Sequence, residues 1–287
     1  MPKRITRLLL TLLISINAQL LFADSFESNG VKIAFSVQGK GEPVVLIHSF
    51  SGSAIDDYGT PGFIKKLAEN YQVIAINARG HGASGKPHET TAYGNQMVID
   101  VINLLDHLNI EKANFVGYSM GGYITQQLVT KYSSRVLKAV IASAGWSTPE
   151  SFRTRFNILA ESLESGNGMT SFLAAMTAKE QPAYSYDQIN KLNSVLMEIN
   201  DPLALAAVAR AFSQLVGVTE DSLRTNKVPL LFVVGQLDSE KINVDHMREV
   251  VSNAQFIEIV GVAHVGIHGH PLFLKAIVTF LSHNANE

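Results

Sequence analysis

The sequence predicts an α/β protein: a mostly parallel sheet with helices on both faces and a helical cap inserted between two of its strands. Three observations carry this expectation. Short, dense apolar runs recur at residues 44–47, 73–76, 114–116, 136–141, 230–234 and 256–260. Such runs suit strands buried on both faces, as strands of a parallel sheet are. Helix-length segments separate most of them, at residues 63–70, 97–108, 120–132, 245–251 and 271–282, and strands alternating with helices build βαβ units. Between about residues 148 and 217 the alternation stops. The pattern there is helical, with breaks at Gly166-Asn167-Gly168 and near Pro182.

In chain order, residues 1–23 read as a secretory signal peptide. Lys3, Arg4 and Arg7 form a basic start, an apolar run follows over residues 8–16, and Leu21-Phe22-Ala23 offers a cleavage site before Asp24. Asn17 and Gln19 interrupt the run, which is short for a spanning helix. The mature chain is therefore expected to be exported, periplasmic or secreted, without a stable membrane anchor; an uncleaved N-terminal anchor is the alternative. Residues 24–147 form the first part of the core, beginning with an alternating strand at 31–37 and a turn at Gly39-Lys40-Gly41-Glu42. Residues 148–217 form the cap, and residues 218–287 complete the core.

Composition narrows the function. The 287 residues are 46% hydrophobic and 17% charged, ordinary for a globular domain with a full core. Net charge is −2 and no basic run occurs beyond the N-terminus, so nucleic acid is not an expected partner. Cysteine is absent, which excludes thiol catalysis, cysteine-ligated metals and lipid attachment at cysteine.

The motif that carries chemistry is Gly117-Tyr118-Ser119-Met120-Gly121, placed between a strand and an amphipathic helix. Glycines on both sides allow a sharp turn with no room for Cβ atoms. Ser119 is thereby exposed at the corner, and the helix N-terminus points its N–H groups at developing negative charge. A serine nucleophile needs a base and an orienting acid. His264 follows the strand at 256–260, and Asp238 closes the strand at 230–234. Asp221 and Asp245 lie near in sequence but at no strand end, and Glu150 is too far past its strand. The order Ser119, Asp238, His264 matches one serine hydrolase fold. His268 and His270 invite a metal reading, but Gly266 and Gly269 break any helix that would align them, so no metal site is expected.

Gly80-His81-Gly82-Ala83-Ser84-Gly85 imitates a dinucleotide fingerprint, with Asp100 about twenty residues on. The last glycine of such a motif must open an amphipathic helix; here Lys86-Pro87-His88-Glu89 is polar and proline-broken. Pro87 also stands where a phosphate loop needs Ser or Thr. No cofactor is expected.

Together these segments resemble the α/β-hydrolase superfamily. The likeness rests on the strand running into His48-Ser49-Phe50, on Asn77-Ala78-Arg79-Gly80-His81-Gly82, on the Ser119 corner, and on the stretches 235–238 and 261–264. It looks closest to the small esterase, enol-lactonase and cofactor-free haloperoxidase-like group. The resemblance implies an eight-stranded-type sheet and an oxyanion hole made by the backbone N–H groups of Phe50 and Met120. Three departures stand out: Ser49 where the family usually has Gly, Asn77 where Asp is common, and Val262 where a small residue is usual.

The expected activity is hydrolysis of a small carboxylic ester or lactone through an acyl-enzyme. Carbon–carbon hydrolysis, haloperoxidase or perhydrolase chemistry, and ligand binding without turnover are the alternatives on the same residues. Trp146, Phe152, Phe156, Met169, Phe172 and Met176 offer apolar lining for a pocket under the cap. Apolar residues at helical spacing usually pack the helices themselves, so none is assigned to substrate.

Overall fold

The computed structural model describes residues 24–59, 62–176 and 184–283. The expected signal peptide and the break near Pro182 lie outside the described residues. Eight strands form one sheet: β1 (Asp24–Ser28), β2 (Val31–Gln38), β3 (Glu42–Ile47), β4 (Tyr71–Ile76), β5 (Ala113–Tyr118), β6 (Val136–Ala142), β7 (Leu230–Gly235) and β8 (Ala254–Ile259). Their spatial order is β1-β2-β4-β3-β5-β6-β7-β8. Both pairings of β2 are antiparallel, and every pairing from β4 across to β8 is parallel.

Parallel strands need crossovers, and helices supply them on both faces. In chain order these are α1 (Phe63–Leu67), α2 (Asn95–His107), α3 (Met120–Lys131), α4 (Pro149–Glu164), α5 (Thr170–Ala174), α6 (Tyr186–Ile199), α7 (Pro202–Ala211), α8 (Glu220–Arg224), α9 (Lys241–Val250) and α10 (Pro271–Ser282). The period-two alternation of a strand divides the parallel strands between two cores. Val45 and Ile47 of β3 pack with α2, α3 and α9 on one face; Val44 and Leu46 pack with α1 and α10 on the other.

Between β6 and β7 the chain runs through α4 to α8 before the sheet resumes. Local chemistry starts and stops these helices. Thr148 caps α4 through Ser151 N–H, with Pro149 as its first residue, where its missing N–H costs nothing. Ser185 and Gln188 form a reciprocal capping box on α6. Asp201 caps α7, with Pro202 at its first position. The side chain of Gln127, buried on α3, donates to the Leu215 carbonyl at 2.9 Å and ties the end of this helical segment to the core.

The dinucleotide-like loop has structural tasks. Arg79 is 1% exposed and makes a two-pronged bond to Asp100, at 2.6 Å for each prong. It also donates to the Ala92 and Ser28 carbonyls. The acid that a ribose would need is thus taken by an arginine. Ser84 donates to the Asn77 carbonyl and accepts from Ala34 N–H. Asn77, at the position where Asp is common, accepts from Ala54 N–H at 3.0 Å.

Candidate active site

β5, β6, β7 and β8 lie side by side and parallel, so their carboxyl ends share one edge of the sheet, where open α/β folds place their ligands. Ser119 leaves β5 there, Asp238 leaves β7 and His264 follows β8. Ser119 has φ 54° and ψ −112°, a conformation rare for a side-chain-bearing residue. Close packing holds it: a Cβ on Gly121 would sit 2.0 Å from the Ile47 carbonyl oxygen, and one on Gly117 would sit 2.1 Å from that of Gly121. The corner is anchored by Ser119 N–H to the Ala142 carbonyl at 2.8 Å and Gly121 N–H to the His48 carbonyl at 3.1 Å.

The structure brings the three sequence-predicted residues together. His264 Nε2 lies 2.8 Å from Ser119 Oγ, and His264 Nδ1 lies 2.8 Å from Asp238 Oδ1. That oxygen also accepts from Glu240 N–H at 2.8 Å. Burial pulls the imidazole pKa down, but the charge of Asp238, its hydrogen bond and the charge of Glu240 outweigh burial, so the value is raised above 6.5. Tyr118 donates to the His264 carbonyl at 2.7 Å, and Tyr184 donates to that of Val265 at 2.6 Å. The base is therefore held from both the nucleophile corner and the helical segment.

His264 and His268 both pack against Tyr118 and line the same cavity, while His270 lies apart at the start of α10. His270 caps that helix by accepting from Leu272 N–H. Asp245 pairs with Lys241 and Arg248, and Asp221 with Arg224. Among the described residues no group of three or more His, Asp or Glu side chains is placed to hold a metal ion.

Met120 opens α3, so its N–H has no acceptor within that helix. Phe50 lies in the loop between β3 and the turn at Ile55–Gly59. Among the described residues, neither N–H donates to a backbone carbonyl in a turn, loop or cap.

Ser119 and His264 open into a cavity of about 270 Å³, just below the usual range for small-molecule sites. Phe50, Phe152, Phe156, Phe172, Met176 and Phe212 line it. Four of the apolar residues left unassigned from sequence thus face the nucleophile as well as packing their helices. Met169 is buried but is not part of this lining. Trp146, expected near the pocket, instead donates through Nε1 to the Val218 carbonyl beside a separate surface cleft.

Among the polar residues of the cavity that sequence reasoning missed, three bear on the site. Glu240 is 3% exposed and accepts from Tyr123 Oη at 2.7 Å and Asn243 Nδ2 at 2.8 Å. Arg155 of α4 lies 3.6 Å from Glu240, with its guanidinium 5.1–5.7 Å from the ring centres of Phe152, Phe156 and Phe172. Asp57 is 4% exposed and accepts from Ser49 N–H at 2.7 Å. Glu240 carried a usable signal, two residues after the triad-type acid; the other two carried none.

Comparison with known proteins agrees with this architecture. A family model described as the alpha/beta hydrolase fold matches residues 42–170. An uncharacterised protein of Mycobacterium tuberculosis is 26% identical over 282 residues, covering 88% of this chain and 79% of its own. The 3-oxoadipate enol-lactonase 1 of Acinetobacter baylyi is 27% identical over 239 residues, covering 80% of this chain and 86% of its own. Among solved structures, an alpha/beta hydrolase enzyme from a Medee basin deep-sea metagenome library superposes with a TM-score of 0.78 at 18% identity, covering 92% of this chain and 99% of its own. The enol-lactonase of Burkholderia xenovorans LB400 gives 0.72 at 19% identity, covering 91% and 100%. With its strand order, its Ser119 corner and these likenesses, the chain has the α/β-hydrolase fold.

Proposed function

We propose that the protein is a serine hydrolase that cleaves a small carboxylic ester or lactone through an acyl-enzyme. One observation carries the proposal: the Ser119–His264–Asp238 chain of 2.8 Å contacts, with Ser119 and His264 lining a mostly apolar cavity. His264 takes the Ser119 proton as Oγ attacks the carbonyl carbon. Asp238 fixes the tautomer with the proton on Nδ1 and stabilises the imidazolium that forms. The N–H groups of Phe50 and Met120 meet the oxyanion. His264 then returns the proton to the leaving oxygen, and water repeats the sequence to release the acid. The enol-lactonase among the relatives and the small apolar cavity support an ester or lactone of modest size.

The test is hydrolysis of a p-nitrophenyl ester series from C2 to C12 by wild type and Ser119→Ala. Turnover in wild type and its loss by about 10⁴-fold or more in the folded variant is the expected result. Equal turnover in both proteins sinks the nucleophile assignment. No turnover by either, with no labelling of Ser119 by a fluorophosphonate, moves ligand binding without chemistry ahead.

A further inference from the structure

We infer that Asp57 is a positioning residue of the oxyanion hole, its buried carboxylate fixing the Ser49–Phe50 turn so that the Phe50 N–H is left for the oxyanion. The inference rests on the hydrolase reading above. It goes beyond that reading by assigning a task to a residue outside the triad and outside the two donors.

The Ser49–Phe50 turn has four backbone polar groups, and three are engaged. Ser49 N–H donates to Asp57 Oδ2 at 2.7 Å. His48 Nδ1 lies 2.7 Å from the Ser49 carbonyl, and its Nε2 accepts from Ala78 N–H at 3.0 Å. The second bond fixes the neutral tautomer in which Nδ1 donates. The Phe50 carbonyl turns to His81 Nε2 at 2.6 Å. The fourth group, Phe50 N–H, is the one an oxyanion needs, and Phe50 lines the same cavity as Ser119.

Of these restraints, the Asp57 bond is the one made to an acidic side chain, and charge-assisted bonds are the stronger kind. The carboxylate is itself held firmly. It sits on a π-helical turn, Ile55–Gly59, a winding found often at functional sites. Asp57 N–H donates to the Ser53 carbonyl at 3.1 Å. The next residue, Tyr58, donates to the carbonyls of Ile47 and Val116 at 3.0 and 3.3 Å. Ile47 ends the strand that leads into Ser49, and Val116 lies on the strand that leads into Ser119. The turn carrying Asp57 is thus referenced to both loops whose N–H groups form the oxyanion hole. Gly52 closes over the carboxylate with no room to spare: a Cβ there would sit 2.7 Å from Asp57 Oδ1. The serine at position 49, where the family usually has glycine, stands in the turn that this acid pins.

The experiment compares Asp57→Ala and Asp57→Asn with wild type on one p-nitrophenyl ester. Steady-state constants, inhibition by an alkylboronic acid that forms a tetrahedral adduct at Ser119, and thermal unfolding are followed together. Asp57→Ala is expected to lose about tenfold to a hundredfold in kcat, short of the loss from deleting a donor outright. KM should stay within about twofold and boronate affinity should fall in step with kcat. Asp57→Asn keeps the shape and an acceptor oxygen, so it should recover most of the loss and remains readable if the alanine variant does not fold. Folded variants with wild-type kcat and boronate affinity overturn the inference while leaving the Ser119 assignment standing. A rise in KM with kcat unchanged also overturns it, because that marks a role in substrate binding. A wild type that neither turns over esters nor binds the boronate overturns the hydrolase reading and this inference with it.

Discussion

Glu240 lines the cavity together with Arg155 and Asp57, and its consequence falls on the neighbouring base. His264 acts as a base only when neutral, and its pKa is raised above 6.5 against the pull of burial. The kcat/KM profile is therefore expected to climb with pH through an acid limb that lies above 6.5. Glu240→Gln removes a charge that favours the imidazolium and leaves Arg155 uncompensated nearby, and both changes lower the His264 pKa. The acid limb should shift to lower pH in that variant, as a pH–rate profile would read. A limb that stays in place would mean that Asp238 alone sets the basicity.

The elements follow one division of labour: the sheet edge presents the reacting groups, and the helices between β6 and β7 shape what reaches them. Phe156 of α4 stacks on Phe212 with ring centres 3.9 Å apart, at a wall of the cavity. Phe156→Ala should cost about 3–5 kcal/mol of stability and move the ester optimum toward longer acyl chains. Denaturant unfolding and the ester series check the two effects separately. At this scale much was legible beforehand. The inner parallel strands announced themselves because both faces are buried, whereas β8, expected to be buried likewise, lies at the sheet edge with only Ile259 buried. Residues 271–282 read as the observed α10 from their apolar spacing. The edge strand β1 did not, since only Phe26 and Ser28 of its five residues turn inward and its sequence, Asp-Ser-Phe-Glu-Ser, looks like a polar loop. Ser119, Asp238 and His264 were readable because each stands at a strand end in a recognisable order. Asp57 and Arg155 were not. Their places come from one irregular turn and from helix packing, neither of which leaves a period in the sequence, and a lone acid or arginine on a polar stretch reads as surface.

Across the whole molecule, the loops at the carboxyl edge of the sheet are braced by buried histidines, and that brings a liability in acid. His48 is fully enclosed; burial, then the neighbouring His81, lowers its pKa to about 3. The unfolded chain takes up that proton near pH 6.5 while the folded chain refuses it. Stability is thus fully present above pH 6.5 and falls on acidification toward 3, by about 1.4 kcal/mol per pH unit from this site. Urea unfolding between pH 7 and 4.5 should show this slope, and His48→Gln should reduce it by one proton's worth. A variant slope equal to wild type would place the acid sensitivity elsewhere. The same compact edge makes Phe50 serve two sites at once. Its ring touches Phe156, Phe172 and Phe212 at 5.8–6.2 Å, while its N–H is an oxyanion donor in the proposed mechanism. A chain that fills the pocket snugly braces the residue that stabilises the transition state, and one that leaves a gap lets it relax. Selectivity in such a site is exercised on the reaction more than on binding, so a poor substrate is held almost as well as a good one but converted more slowly.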